Sequence, residues 1–215
     1  KIQDKENIKG WIIDLSRNTG GNMFPMISGA SSFFEDDEIL GYFIDPEGNH
    51  IQWGVNEGSS YLKNKHNLMT TVSKYQLKNP DAKLAIIVGG ETASSGEGTA
   101  ISFIGKENAR LFGERSCGLS TGNEQFRLSD GSFLFITAYT MANRKLEAYG
   151  EQIPLDEEFD NEIFRNNSLF ISTVASFGFG KLSKKLIESI SSISIINGLG
   201  DKDMYDLASS SLEDS

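Results

Sequence analysis

The sequence predicts an α/β domain in which helices lie against a layer of buried strands. Three observations carry this. Two short apolar runs, Gly10-Trp11-Ile12-Ile13-Asp14-Leu15 and Lys83-Leu84-Ala85-Ile86-Ile87-Val88, read as buried strands. Each leads to a glycine pair, Gly20-Gly21 and Gly89-Gly90, and then to apolar residues at helical spacing. The resulting alternation of strand and helix is the pattern of α/β layers, and 215 residues suit one domain with a sizeable core plus a short extension.

In chain order, the first strand ends in the turn-forming loop Ser16 to Asn22, and Met23 to Phe34 carries near-helical spacing with Pro25 in its first turn. Ile39 to Val55 reads as two strands around Asp45-Pro46-Glu47-Gly48-Asn49, an inserted hairpin arm. Tyr42, Phe43 and Trp53 on that arm read as local core, with peptide capture by strand addition as the alternative. Residues 61–79 are expected to form an amphipathic helix ending before Pro80. After the second buried strand, Ser94 to Glu107 reads as a helix with Ala100, Ile101 and Ile104 on one face. Arg110 to Gly113 is a short strand, and Gln125 to Leu128 with Ser132 to Tyr139 form a hairpin turned by Asp130-Gly131. Residues 1–160 are thus the expected core. Residues 161–215 are the expected C-terminal helical extension, with a stripe of Leu182, Leu186, Ile187, Ile190 and Ile193. Its last part, from Leu199, reads equally as a docking helix or a frayed tail.

Thirty acidic against twenty basic residues give a formal charge of -10. That balance disfavours nucleic acid, because phosphate binding needs clustered Lys and Arg. No apolar run reaches the length of a membrane span. Cys117 is the only cysteine, which excludes an internal disulfide and a thiolate metal cluster. The acidic run Asp156-Glu157-Glu158 with Asp160 lacks the alternation of a calcium loop and reads as a solvated edge. No residue pattern calls for a metal or a cofactor. The chain begins at Lys1 rather than Met, which suggests a processed product or a piece that lacks its natural beginning.

The segment that carries chemistry is Glu91-Thr92-Ala93-Ser94-Ser95-Gly96-Glu97, between a buried strand and a helix. Ser94 and Glu97 have capping-box spacing, so Ser94 as a plain helix cap is the first reading. The same geometry suits a nucleophile. The Ser95 N–H is placed to donate to an oxyanion formed when the Ser94 hydroxyl attacks a carbonyl. A second donor must come from elsewhere, and the Gly20-Gly21 turn suits that task because glycine lets substrate approach the backbone.

Four segments, in order, resemble a known family. Ile12 to Gly21 is similar to its "IDLRxNxGG" element, and Thr92 to Glu97 to its "TAS-small-small-E" nucleophile turn. Gly113 to Gly122 resembles its "GexTxG" loop, and Leu128-Ser129-Asp130-Gly131-Ser132 its "L-x-DGS" hairpin. The family is that of the tail-specific, C-terminal-processing and tricorn-core serine peptidases, and the resemblance covers residues 8 to about 156. It implies a ββα superhelix of the Clp protease and crotonase kind, with Ser94 as nucleophile and backbone N–H groups of Ser95 and of Gly20-Gly21 as the oxyanion hole. It also implies polypeptide substrates and an exported or envelope-associated bacterial setting.

The departures are informative. The arginine that follows Asp-Leu in the family is Ser16 here, with Arg17 one place later, and the closing "G-I-x-P-D" appears as Gln152-Ile153-Pro154-Leu155-Asp156. Tail-specific members place a lysine base directly after "TxG", with a glutamine a few places on; those positions are Leu119 and Asn123. Leucine accepts no proton, so a Ser–Lys pair is excluded there. Tricorn-type members use a histidine before the first strand of this core, which points to a Ser–His enzyme whose base lies upstream of Lys1. This chain by itself is then expected to hydrolyse peptides very slowly or not at all. His50 and His66 read as surface residues, and Cys117 as loop lining. Lys106 and Lys145 are the lysines to check as substitute bases. The rival readings are a non-catalytic ligand- or peptide-binding module of the same fold and, more remotely, a crotonase-like acyl-CoA enzyme, which would not need the Ser94 turn.

Overall fold

In chain order the elements are β1 (Gly10–Asp14), α1 (Met23–Gly29), a 3-10 turn (Ser31–Phe33), β2 (Ile39–Ile44), β3 (His50–Asn56), β4 (Ser59–Leu62) and β5 (His66–Met69). There follow β6 (Lys83–Val88), α2 (Ser95–Ile101), β7 (Ala109–Gly113), β8 (Thr121–Arg127), β9 (Phe133–Asn143) and β10 (Glu157–Glu158). This computed structural model describes residues 4, 8, 10–62, 66–69 and 74–159. The chain divides into two units, Lys1–Glu158 and Phe159–Ser215, and the helices expected within 161–215 lie outside the described residues.

The result is a mixed α/β domain with one parallel and one antiparallel sheet. The parallel sheet has the order β1-β6-β7-β10. β6 lies between β1 and β7, with Ile86 opposite both Ile13 and Leu111. Every residue from Leu84 to Val88 is buried, which is why this strand reads as an unbroken apolar run rather than an alternation. The antiparallel sheet has the order β5-β4-β3-β2-β9-β8. The core cluster takes in Met23 and Ile27 of α1, Trp53 of β3, Ile86 of β6, Ile101 of α2 and Met141 of β9.

The hairpin arm at 39–55 forms as expected. Its turn is closed by Asp45, whose carboxylate accepts from the Asn49 backbone N–H and side-chain amide at 2.8 and 2.9 Å. The arm does not stand free, however. β2 pairs with β3 on one side and β9 on the other, and β3 pairs with β2 and β4. β2 is paired on both sides over Gly41–Ile44 and β3 over Trp53 and Gly54, so these stretches offer no free edge to an added peptide strand. Trp53 is fully buried with its indole N–H on the Ser102 hydroxyl, and Gly41 leaves the space it needs: a Cβ there would lie 2.3 Å from the ring.

The expected helix over 61–79 is not present. Tyr61 and Leu62 belong to β4, residues 66–69 form β5, and no helix occupies the described residues 74–79. The cause is a tight turn. Glu57 and Gly58 both have positive φ, 46° and 82°, as a two-residue hairpin loop requires, so the chain reverses after β3 into a further strand. His66 accordingly lies in β5 rather than in a helix. Helical spacing also overstated two lengths. α1 stops at Gly29 and continues only as the 3-10 turn, while α2 ends at Ile101 and gives way to i+3 turns before Gly105 at φ 81°. The 125–139 hairpin is longer than expected, running from Thr121 to Asn143.

Candidate active site

Because β1 and β6 run parallel, the loops that follow them emerge at the same edge of the sheet, where open α/β sheets bind ligands. Thr92, fully buried, joins the two loops: its hydroxyl donates to the Leu15 carbonyl at 2.8 Å and accepts from the Gly89 N–H at 2.9 Å. The Ala93 N–H donates to the Asn18 carbonyl at 3.0 Å, and the Ser95 hydroxyl to the Gly21 carbonyl at 2.7 Å. The Asn18 side chain accepts from the Gly20 N–H at 3.1 Å and so shapes the turn from within. Sequence reading missed Thr92 and Asn18 as organisers. Their signal was the turn preference of Asn and Thr next to glycine pairs.

Ser94 is the N-cap of α2, half-buried, and the capping-box pairing with Glu97 is present. Its backbone is unusual for a cap: φ 51° and ψ -115°, where extended values are the norm. Such a conformation costs a non-glycine residue about 1–3 kcal/mol and persists only where surroundings enforce it. Gly20 lies directly against it. A Cβ at Gly20 would sit 3.0 Å from the Ala93 carbonyl oxygen, 3.0 Å from the Ser94 Cβ and 3.4 Å from the Ser95 N. Gly20 and Gly21 have φ of 106° and 118°, and the space beside Gly21 is open. The turn and the serine predicted to work together therefore do meet. The Gly20 N–H is engaged by the Asn18 side chain.

Glu97 reaches further than a cap. It is fully buried, and its Oε2 accepts from the N–H groups of Ser94 at 2.9 Å and Leu119 at 2.8 Å. Its Oε1 accepts from the Ser116 hydroxyl at 2.6 Å and the Gly118 N–H at 3.0 Å. The 116–119 loop is thereby attached to the nucleophile turn, and the Cys117 N–H adds a bond to the Thr92 carbonyl at 2.8 Å. The Leu119 side chain is about half exposed, at 52%. Cys117 is exposed, as is His50 in β3. The Lys106 ammonium lies over the Phe34 ring, 5.9 Å from its centre, and Lys145 is exposed. The acidic segment lies at the edge of the parallel sheet, at β10, with Asp156 and Glu158 exposed; Glu158 pairs with Arg115 at 2.8 Å, and Asp156 accepts from the Leu111 N–H at 2.8 Å.

The mixed α/β fold of this domain is shared with a solved protease. The photosystem II D1 C-terminal processing protease superposes with a TM-score of 0.55 at 18% identity, over 80% of this chain and 40% of that one. The chain belongs to peptidase family S41, which matches residues 1–158. Among relatives, the nisin-resistance protein of Lactococcus lactis subsp. lactis is 29% identical over 170 residues, 77% of this chain and 50% of its own length. A lipoprotein from Streptococcus agalactiae is 32% identical with a TM-score of 0.55, over 77% of this chain and 55% of that one. The chain spans about half the length of these relatives.

Proposed function

We propose that this chain carries the catalytic core of a serine endopeptidase that cuts polypeptides through an acyl-enzyme on Ser94. The observation that carries the reading is the Ser94 backbone, at φ 51° and ψ -115°, on a strand-to-helix turn packed against Gly20. A strained serine at such a turn presents its hydroxyl outward, as in the nucleophile elbows of other hydrolases. The domain is read as a ββα superhelix of the Clp protease and crotonase kind.

In the proposed reaction the Ser94 Oγ bonds to the scissile carbonyl carbon while its proton passes to a base. The C–N bond then breaks, the amine takes up a proton, and water releases the acyl group. The Ser95 and Gly21 amides donate to the oxyanion, with Gly20 allowing the close approach; one such donor is worth about a hundredfold to a thousandfold in rate. The resemblance to tricorn-type members makes a histidine outside residues 1–215 the proposed base; Leu119 accepts no proton, and the Lys106 ammonium lies over Phe34. The lipoprotein and the nisin-resistance protein among the relatives support an envelope-associated setting and make nisin a substrate to try.

The test is fluorophosphonate labelling of the full-length protein, with casein and nisin cleavage, in the natural form and as Ser94→Ala. Labelling and cleavage that vanish in Ser94→Ala support the peptidase. The Leu119 position favours one rival, a non-catalytic binding module. A folded full-length protein that is neither labelled nor active, yet binds peptide, would establish it.

A further inference from the structure

Glu97 sits where a simple cap would not need so much. A helix cap satisfies one or two amides, whereas this carboxylate accepts four hydrogen bonds from two segments. The four bonds fill the acceptor sites of both oxygens. It is fully buried, and no ion pair to it occurs among the described residues. Burying an unpaired carboxylate is costly and is offset here only by these N–H and O–H donors. For stability alone, an apolar contact between helix and loop would serve as well.

The geometry indicates what the arrangement does. The Ser94 and Leu119 amides share one oxygen, at 2.9 and 2.8 Å, so the two nitrogens lie no further apart than the sum of those lengths. The bond to the Ser94 N–H acts on the peptide unit whose rotation defines φ at Ser94, the angle held at 51°. It also takes up the Ser94 amide, which assigns oxyanion binding to other amides. On its other oxygen Glu97 holds Ser116, whose hydroxyl also accepts from the Ile153 N–H at 3.2 Å. The carboxylate thus sets the angle of Ser94 and its distance from the 116–119 wall in a single device.

We propose that Glu97 is a positioning residue for the reaction at Ser94, acting through the Ser94 amide and the 116–119 loop; this rests on the peptidase reading above. Glu97→Gln keeps the shape, but its amide nitrogen faces donors it cannot accept from, so one side of the strut opens. In the full-length protein, the maximal rate of fluorophosphonate labelling in Glu97→Gln is expected to fall about a hundredfold, the scale of a 1 Å misplacement. The half-saturating probe concentration is expected to stay within about twofold, because binding is not what Glu97 supplies. A purely structural role would instead lower thermal stability and leave the maximal rate of the folded fraction unchanged, which overturns the proposal. Should Glu97→Gln fail to fold, Ser116→Ala decides. It removes one of the four donors and is expected to slow labelling about tenfold, and an unchanged rate overturns the proposal. The unsubstituted protein and Ser94→Ala run alongside. If the folded unsubstituted protein is not labelled, the peptidase reading itself fails and takes this inference with it. If it is labelled and Glu97→Gln matches it, only the inference fails.

Discussion

Ser94 combines a stabilising role with a destabilising conformation. As N-cap it contributes to α2, and its left-handed φ of 51° costs about 1–3 kcal/mol. Ser94→Gly separates the two. Glycine loses only a few tenths of a kcal/mol as a cap and about 0.5–1 kcal/mol in unfolded-chain entropy, less than the strain it removes. The variant is therefore expected to be more stable by about 1 kcal/mol in urea unfolding while losing all labelling. A loss of stability would show that the turn is not strained. Gly20→Ala runs the other way. Its Cβ would press on the Ala93 carbonyl and the Ser94 Cβ at 3.0 Å from a φ of 106°. We expect a loss of about 1–3 kcal/mol together with a sharp fall in labelling, since the obstacle stands at the nucleophile itself. Normal labelling of Gly20→Ala would separate the glycine turn from the site.

At the scale of elements, the end of β9 shows how a long strand is anchored. Asn143, buried, donates to the Glu147 carboxylate at 2.6 Å and to the Tyr149 hydroxyl at 2.7 Å, and the Tyr149 N–H donates to the Met141 carbonyl at 2.9 Å. Burial, followed by the negative charge of Glu147, pushes the Tyr149 phenol up to about 12 from its ordinary value of 10.0. The folded state therefore holds the proton more tightly than the unfolded state. The stability linked to it is fully present below pH 10.0 and is lost as pH rises towards about 12. Tyr149→Phe is expected to flatten the decline of thermal stability across that window relative to the natural protein. An unchanged slope would mean that the phenol keeps its ordinary titration.

For the molecule as a whole, the contrast lies between the parallel sheet and the β8–β9 hairpin. Phe112 of β7 is fully buried, whereas Phe135 of β9 is 63% exposed, in a run where Phe133, Leu134 and Ile136 are exposed too. Phe112→Ala is expected to cost about 3–5 kcal/mol, the usual range for a deleted core aromatic. Phe135→Ser is expected to shift stability by no more than about 0.5 kcal/mol. Equal effects in denaturant titrations would mean that the hairpin is packed in solution.

The sequence by itself determined the buried strands, the two glycine turns and the serine on its turn, because each is a local pattern: an apolar run, a residue type tolerant of positive φ, a cap at a helix start. It also carried the family, through four short segments in order. Residues 61–79 show where local pattern fails: their helical spacing yielded to a two-residue turn at Glu57-Gly58 and to pairing with β3, interactions that spacing does not record. Only the tertiary structure decided that Gly20 touches Ser94, more than seventy residues away, since that depends on the parallel pairing of β1 with β6. The same holds for Glu97. Its spacing from Ser94 announced a cap, but its bonds to Ser116, Gly118 and Leu119 exist because the chain after β7 returns to the end of the sheet where α2 begins. Hydrogen bonds between distant segments follow from how strands order in a sheet, and that ordering is set by the packing of the whole core rather than by any short stretch of residues.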